Sequence, residues 1–178
     1  RTLVICPNPA KEPWKKGLMG SETERYFENV QDVAVVNGEK KTKEFLKDIR
    51  TKKWVVVNYE QLLTQVNSKK LFVQELMDIG FDYVIFDESH HIRSQRNGTK
   101  SGKLTISQAS QLLSRKTKHL CLLSGSPIPN DFRSDYAVQY TMLNPERCSN
   151  PKNFWNFHKG DPRTLHTIFN ERTIRRTS

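Results

Sequence analysis

The sequence is poor in cysteine and has no long apolar run. Cys6, Cys121 and Cys148 give an odd count with no CxxC pair, which is typical of a reducing intracellular compartment such as a nucleus, cytoplasm or nucleoid. No stretch approaches the roughly 20 apolar residues that a membrane span needs, so a transmembrane protein is excluded and no membrane partner is expected. The amino-terminal residues also lack the pattern of a signal peptide.

Acidic residues are in the minority. The 178 residues include 29 Lys or Arg and 19 Asp or Glu, which gives a formal net charge of +10. This length suits one compact domain whose core needs neither disulfide nor metal. The excess of positive charge predicts an anionic partner.

Five short apolar runs predict the strands of one sheet. They do not alternate with polar residues, which is typical of strands buried on both faces of a parallel sheet. The runs are Leu3–Cys6, Val33–Val36, Trp54–Asn58, Tyr83–Asp87 and Leu120–Ser124. Helical patterns lie between them, at a capping box over 21–24 and over Lys43–Arg50, Leu71–Ile79 and Ile106–Leu113. Alternating strands and helices predict an α/β fold with a doubly wound, mainly parallel sheet and helices on both faces.

The pattern changes after the fifth run, because no further apolar strand follows. Helices are predicted over Phe132–Leu143 and Leu165–Arg172. The sequence therefore predicts an α/β core over residues 1–130 and a helical tail over residues 131–178.

Two carboxylates and a histidine follow the fourth run, in YVIFDESH at residues 83–90. Ligands of open α/β sheets bind beyond the carboxyl ends of the strands. There, Asp87 could hold Mg²⁺ while Glu88 polarises a water that attacks a phosphate. The alternative is structural: Asp87 begins a turn and Glu88 caps a helix. His91 is expected to point away from His90 and to be structural or solvated.

A second polar strand end occurs in LCLLSGSP at residues 120–127. If the two strands are neighbours, the hydroxyls of Ser124 and Ser126 lie beside the carboxylates, with Gly125 between them. A simple Gly and Pro turn leaving a strand is the alternative.

Taken together, these motifs resemble helicase superfamily two, specifically its Swi/Snf-like translocases, over nearly the whole chain. DESH at 87–90 resembles the D-E-x-H box, and LSGSPIPN at 123–130 resembles L-T-G-T-P-x-x-N with serine in place of both threonines. LVICP at 3–7 followed by Trp14, VNYEQL at 57–62 and TIRR at 173–176 are similar to further family segments in the same order.

The resemblance implies a RecA-like first lobe of a motor that hydrolyses ATP with Mg²⁺ and moves along double-stranded DNA. It implies that Asp87 holds Mg²⁺, that Glu88 activates water, and that His90 couples nucleotide state to Ser124, Gly125 and Ser126. It also implies a second RecA-like lobe of the same parent chain as a partner.

The phosphate-binding sequence GxxxxGK[ST] occurs nowhere in the 178 residues. Without its backbone amides and lysine, ATP affinity and positioning are expected to be poor. In the family this loop precedes the segment like 3–7, and the second lobe follows the segment like 173–176. The sequence is therefore expected to be an inactive fragment of a motor. A slot or free edges are expected in the sheet, beside the strand Tyr83–Asp87, where the loop's strand would pair.

DNA phosphates are the expected ligands of basic residues. A loop over 93–103 contains no acidic residue, and its expected contacts are Arg93, Arg96, Lys100 and Lys103. Pro7 and Asn58 are further DNA contacts implied by the resemblance. Lys11 and the lysines over 40–53 are also candidates, but Glu39, Glu44 and Asp48 favour a solvated, ion-paired helix in that segment.

Two alternative functions remain open from the sequence. One is a nucleic-acid-binding module that has the RecA-like fold but does not hydrolyse ATP. The other is a restriction-type translocase or an unwinding helicase subunit of the same superfamily.

Overall fold

The computed structural model describes residues 1–20, 29–92, 103–126, 132–148, 150–151, 153–154 and 167. Seven strands lie in this part of the chain. They are β1 (Thr2–Cys6), β2 (Val33–Val35), β3 (Trp54–Asn58), β4 (Gln65–Asn67), β5 (Lys70–Leu71), β6 (Tyr83–Phe86) and β7 (His119–Leu122). The five predicted strands correspond to five of these seven, with ends that differ by at most two residues.

The main sheet is parallel throughout and has the order β2-β3-β1-β6-β7. β1 lies at its centre, where Val4 is in register with Val56 of β3 and Ile85 of β6. All five residues of β1 are buried. The α/β fold with a mainly parallel sheet is confirmed.

Five helices accompany the sheet within the described ranges: α1 (Lys11–Met19), α2 (Lys43–Ile49), α3 (Phe72–Ile79), α4 (Ile106–Ser114) and α5 (Phe132–Leu143). Successive side chains of a strand point to opposite faces, so β1 contributes to two cores. Leu3 and Ile5 join the large cluster that includes side chains of α2, α3, α4 and α5. Val4 and Cys6 pack with Leu18 of α1 on the other face.

The expected slot beside the fourth strand was wrong. β6 is paired along its length with β1 on one side and with β7 on the other. Within the described residues the sheet ends instead at β2 and β7. The prediction placed the strand of the phosphate-binding loop beside β6, but β7 pairs with β6 at that position.

Two structures were not predicted: helix α1 and the antiparallel β4–β5 hairpin. The predicted helix that begins over 21–24 lies outside the described residues. So does the predicted helix over Leu165–Arg172, except for Thr167, which is helical. Within the described ranges, no helix has both the length and the apolar character that crossing a membrane requires.

Candidate functional site

Polar side chains gather where β6 and β7 end. β6 stops at Phe86, and the chain turns through Asp87 and Glu88 into a short 3₁₀ helix over Ser89–Ile92. The backbone N–H of Ser89 donates to the carbonyl of Leu123, 2.8 Å away, which ties the turn to the end of β7. The two predicted strand ends are therefore neighbours.

Both oxygens of the Asp87 carboxylate accept a hydrogen bond. The indole Nε1–H of Trp14 donates to Oδ2 at 2.7 Å, and the backbone N–H of Glu88 donates to Oδ1 at 2.9 Å. The backbone of Asp87 is also held, because its N–H donates to the Ile5 carbonyl and its carbonyl accepts from the Tyr59 hydroxyl. Asp87 is fixed in its main chain and in its side chain.

His90 contacts both Glu88 and Ser124 beside this aspartate. Nδ1 of His90 lies 3.2 Å from Oε2 of Glu88 and 3.1 Å from Oγ of Ser124. The side chain of Glu88 is 44% exposed, so its carboxylate remains open to solvent and to a ligand. The structure thus brings together the residues to which the sequence assigned water activation and coupling.

Ser126 and Gly125 complete this strand end. The backbone N–H of Ser126 donates to Oγ of Ser124 at 3.2 Å, and both Gly125 and Ser126 are exposed. A Cβ added at Gly125 would meet no atom within 4 Å, so the space around it does not require glycine.

His91 does not point away from His90 as expected. The two imidazole rings stack with their centroids 4.7 Å apart and an interplanar angle of 28°. The His91 ring also lies 5.7 Å from the ring of Tyr59. The strand ends before these residues and the 3₁₀ helix follows, so the alternation of a strand does not apply to them.

Ser89, the variable residue of the D-E-x-H box, is 1% exposed. Its hydroxyl donates to Oε1 of Gln139 at 2.9 Å, and Gln139 is itself buried on α5. A buried polar pair thus connects the turn after β6 to the helix that begins the predicted tail.

A polar cleft of about 790 Å³ lies at the carboxyl ends of β2 and β3 and was not predicted. Lys11 lies in it with only 7% of its surface exposed. Its ammonium donates to the Val36 carbonyl, to Asn37 Oδ1 and to Asn58 Oδ1, at 3.0, 3.0 and 3.3 Å. Lys11 therefore connects α1 to two strand ends, and its expected role as an exposed phosphate contact does not agree with this burial.

The predicted DNA contacts are found in different environments. Asn58 is buried at 8% exposure, and its amide donates to Glu60 at 2.5 Å while its carbonyl accepts from Lys11. Pro7 is half-buried and directly follows β1. Lys103 is exposed. Arg93, Arg96 and Lys100 lie outside the described residues.

Ion pairs account for part of the lysine-rich segment. Lys52 pairs with Asp48 at 3.1 Å, and Lys53 pairs with Asp32 at 2.9 Å. The pair of Lys52 with Asp48 agrees with the expected ion pairing, but Lys52 and Lys53 both lie beyond the end of α2 at Ile49.

Burial keeps two groups near the site in their neutral forms. It raises the pKa of the Cys6 thiol to about 12, with the charge of Asp87 adding to the effect. Burial also raises the pKa of the Tyr59 hydroxyl far above its usual value, with Asp87 again contributing. Tyr59 therefore keeps its proton, which it donates in the hydrogen bond to the Asp87 carbonyl.

The described residues contain no cluster of three metal-binding side chains. Asp87 and Glu88 do supply the hard carboxylate oxygens that Mg²⁺ prefers. Magnesium commonly uses one or two carboxylates, with water and substrate phosphates as its other ligands. The donor set therefore fits a Mg²⁺ site that is completed by a nucleotide.

Trp14, Tyr59 and Lys11 were not predicted to have these contacts. Trp14 packs against the cluster of Val4 and Leu18. Its bond to Asp87 spans 73 residues of sequence. The only sequence signal was the place of Trp14 and Tyr59 within the family-like segments.

Comparisons with known proteins agree with this geometry. The model of the SNF2-related domain matches residues 1–176. The human DNA repair and recombination protein RAD54B is 26% identical over 148 residues, which cover 82% of this chain and 14% of that protein. The chicken (Gallus gallus) RAD54B is 24% identical over 148 residues, which cover 82% of this chain and 13% of that protein.

A third relative carries a different name. It is the Caenorhabditis elegans homologue of the SWI/SNF-related matrix-associated actin-dependent regulator of chromatin subfamily A-like protein 1. It is 28% identical over 158 residues, which cover 88% of this chain and 19% of that protein. The chain thus spans less than one fifth of the length of each of these relatives.

Proposed function

Since the chain belongs to the SNF2-related domain family, we propose that it is the first RecA-like lobe of a DNA-dependent ATPase that translocates on double-stranded DNA. The observation that carries this proposal is the group formed by Asp87, Glu88, His90 and Ser124 at two adjacent strand ends. An acid for Mg²⁺ and a second acid for water are two of the parts that phosphoryl transfer needs.

Each residue has a distinct role in this proposal. Asp87 holds Mg²⁺, which would neutralise developing charge on the phosphates of ATP. Glu88 accepts a proton from the attacking water, and its 44% exposure leaves it accessible to that water. His90 contacts both Glu88 and Ser124. A movement of either residue is therefore transmitted to the other through the His90 ring.

The chain is proposed to work within a longer polypeptide. It spans 13–19% of the relatives that it matches, and a GxxxxGK[ST] loop is not part of its sequence. Phosphate binding by such a loop and an arginine finger from a second lobe are needed for fast hydrolysis. The isolated 178 residues are therefore expected to show no ATP turnover.

Double-stranded DNA is the proposed partner, contacted by Pro7, Arg93, Arg96, Lys100 and Lys103. Asn58 is not retained as a contact, because it is 8% exposed and bonded to Lys11 and Glu60. Phosphate contacts from basic residues give affinity without sequence information. The two RAD54B relatives are named for DNA repair and recombination, which supports a DNA partner. A nuclear or other intracellular location follows from this partner and fits the three free cysteines.

Glu88→Gln tests the enzymatic role. In the longer motor that contains this chain, it is expected to lower DNA-stimulated ATP turnover by about 10²–10⁴-fold, because the amide cannot accept the proton of water. The measurement is phosphate release at saturating duplex DNA. Glu44→Gln, on the exposed side of α2, is the matched control and is expected to keep wild-type turnover. Equal turnover in wild type and Glu88→Gln would reject the assignment.

A non-hydrolysing nucleic-acid-binding module is the second candidate. A longer polypeptide that lacks the GxxxxGK[ST] loop upstream of these 178 residues would favour it. It predicts duplex binding by the longer polypeptide without any ATP turnover, so the same assay separates the two. Strand displacement by the longer polypeptide would instead indicate an unwinding helicase or a restriction-type motor.

A further inference from the structure

The turn that carries the two carboxylates contains an unfavourable backbone conformation. Glu88 has φ = 50°, in the left-handed region that favours glycine. Within the described part of the chain it is the one residue other than glycine with a positive φ. Such a conformation persists only when its surroundings hold it.

Trp14 holds the side chain of the preceding residue. Its indole Nε1–H donates to Oδ2 of Asp87 at 2.7 Å, a short charge-assisted bond. The indole ring itself packs in the cluster of Val4, Cys6 and Leu18, so its own position is fixed. With Oδ1 accepting from the Glu88 amide, the plane of the carboxylate is set by two donors.

Tyr59 holds the main chain of the same residue. Its hydroxyl donates to the Asp87 carbonyl at 2.7 Å, and that carbonyl belongs to the peptide that leads into Glu88. The ring is 2% exposed and stacks on Phe86, with centroids 6.4 Å apart. Burial and this stacking leave the hydroxyl little freedom to move.

We propose that Trp14 and Tyr59 are positioning residues that together fix the orientation of the Asp87 and Glu88 carboxylates. Trp14 sets the rotamer of Asp87, and Tyr59 holds the peptide before the strained Glu88. This inference rests on the proposed function, since it assigns the two residues to that reaction. Each oxygen of Asp87 accepts one bond from the protein and keeps a second lone pair for Mg²⁺ or a water bound to it.

Side chains that hydrogen-bond to a metal-binding residue have a measurable effect on metal affinity and on activity. Loss of a hydrogen bond to a metal-binding carboxylate commonly lowers metal affinity or activity by about 10–100-fold. The substitutions Trp14→Phe and Tyr59→Phe each remove one donor and keep an aromatic ring. They therefore test the hydrogen bonds with little change in packing.

The first measurement uses the chain alone, labelled with ¹⁵N. Its three tryptophans give three indole N–H resonances, and Trp14→Phe identifies the one from Trp14. In Asp87→Ala, that resonance is expected to shift, and its exchange with water to become about ten-fold faster. The Trp54 resonance is the internal control and is expected to stay in place. If Asp87→Ala does not fold, Asp87→Asn replaces it, with a smaller shift expected.

The second measurement uses the longer motor and varies Mg²⁺ at saturating DNA. Trp14→Phe and Tyr59→Phe are each expected to lower kcat about 10-fold or more. The Mg²⁺ concentration for half-maximal turnover should rise, while KM for ATP stays within about two-fold. Trp54→Phe and Tyr83→Phe are the matched controls, since Tyr83 lies 51% exposed at the other end of β6. A merely structural role would lower the active fraction without moving the Mg²⁺ dependence.

The outcomes distinguish this inference from the proposed function. If the wild-type motor hydrolyses ATP and the two variants match it in kcat and Mg²⁺ dependence, only the positioning role is rejected. If substitution of Asp87 does not shift the Trp14 indole resonance, the role of Trp14 is likewise rejected. A wild-type motor without any hydrolysis rejects the proposed function and this inference with it, even where the indole bond is observed.

Discussion

At the scale of single residues, the turn after β6 combines strain with chemistry. A residue other than glycine in the left-handed region costs roughly 1–3 kcal/mol. Glu88 adopts this conformation, and the hydrogen bonds of its neighbours Asp87 and Ser89 hold it there. The backbone conformation of Glu88 therefore lowers the stability of the fold at the residue that is proposed to activate water.

Comparing Glu88→Gly with Glu88→Ala measures that strain. Both changes remove the carboxylate, but only glycine relieves the positive φ. The glycine variant is expected to be more stable than the alanine variant by about 1 kcal/mol, measured as the free energy of unfolding in urea. Neither variant should hydrolyse ATP within the longer motor. Equal stabilities would show that the turn carries no strain at this position.

Lys11 shows how far a single residue can depart from its sequence context. It begins helix α1, yet only 7% of its surface is exposed, and the rest is buried against two strand ends. A charged group is tolerated there because three oxygens accept hydrogen bonds from its ammonium. No local pattern distinguishes such a lysine from an exposed one.

At the scale of helices and strands, the sequence was most informative where apolar residues are continuous. β1 and β3 were predicted to within one residue at each end, because strands buried on both faces need unbroken apolar runs. Helix α1 was missed since it contains Pro13 and Gly17, which are both poor helix formers. The β4–β5 hairpin was missed because its strands are short and polar.

In the candidate site, too, some contacts could be predicted from apolar strands and others could not. Asp87, Glu88, His90 and Ser124 follow apolar strands directly, so the parallel sheet was sufficient to bring them together. The bonds from Trp14 and Tyr59 to Asp87 join residues 73 and 28 positions apart. The Trp14 bond depends on how helix α1 packs on the sheet, and the Tyr59 bond depends on the path of the chain after β3. Local sequence patterns specify neither.

Helix α4 offers a prediction about a single element. Thr105 Oγ1 accepts from the backbone N–H of Gln108, and the Gln108 side chain accepts from the N–H of Thr105, so the two form a capping box. Thr105→Ala is expected to cost about 1 kcal/mol. The melting temperature should fall by about 2–4 °C. Ser68→Ala, at an exposed position in the turn between β4 and β5, is the control and should change stability by less than about 0.5 kcal/mol. A similar melting temperature for all three proteins would contradict the role of the cap.

At the scale of the whole molecule, only part of the net charge of +10 is free to contact DNA. Lys11 is buried, and Lys52, Lys53 and Lys70 are paired with carboxylates. These pairs explain why a lysine-rich segment need not be a binding surface. The charge that remains for DNA is therefore expected to be concentrated in the acid-free segment over 93–103.

Neutralising Arg93, Arg96, Lys100 and Lys103 together tests that expectation. Duplex affinity should fall, and the slope of log affinity against log salt should become shallower by about 0.9 for each phosphate that the variant no longer neutralises. The measurement is a titration of fluorescent duplex at several salt concentrations. Neutralising Lys52, Lys53 and Lys70 is the control, since these lysines are already paired, and should leave the slope unchanged. An unaltered slope in the variant of segment 93–103 would show that these four residues do not neutralise DNA phosphates.

The central place of β1 in the sheet has a consequence for the chain during its synthesis. Thr2 pairs with Trp54 and with Tyr83, so β1 finds its two neighbours only 52 and 81 residues later. At about 5–20 residues per second, roughly 4–16 seconds separate the translation of β1 from that of β6. Throughout this time its Leu, Val and Ile side chains have no complete sheet to enter, which makes the nascent chain a natural client for chaperones that shield apolar segments.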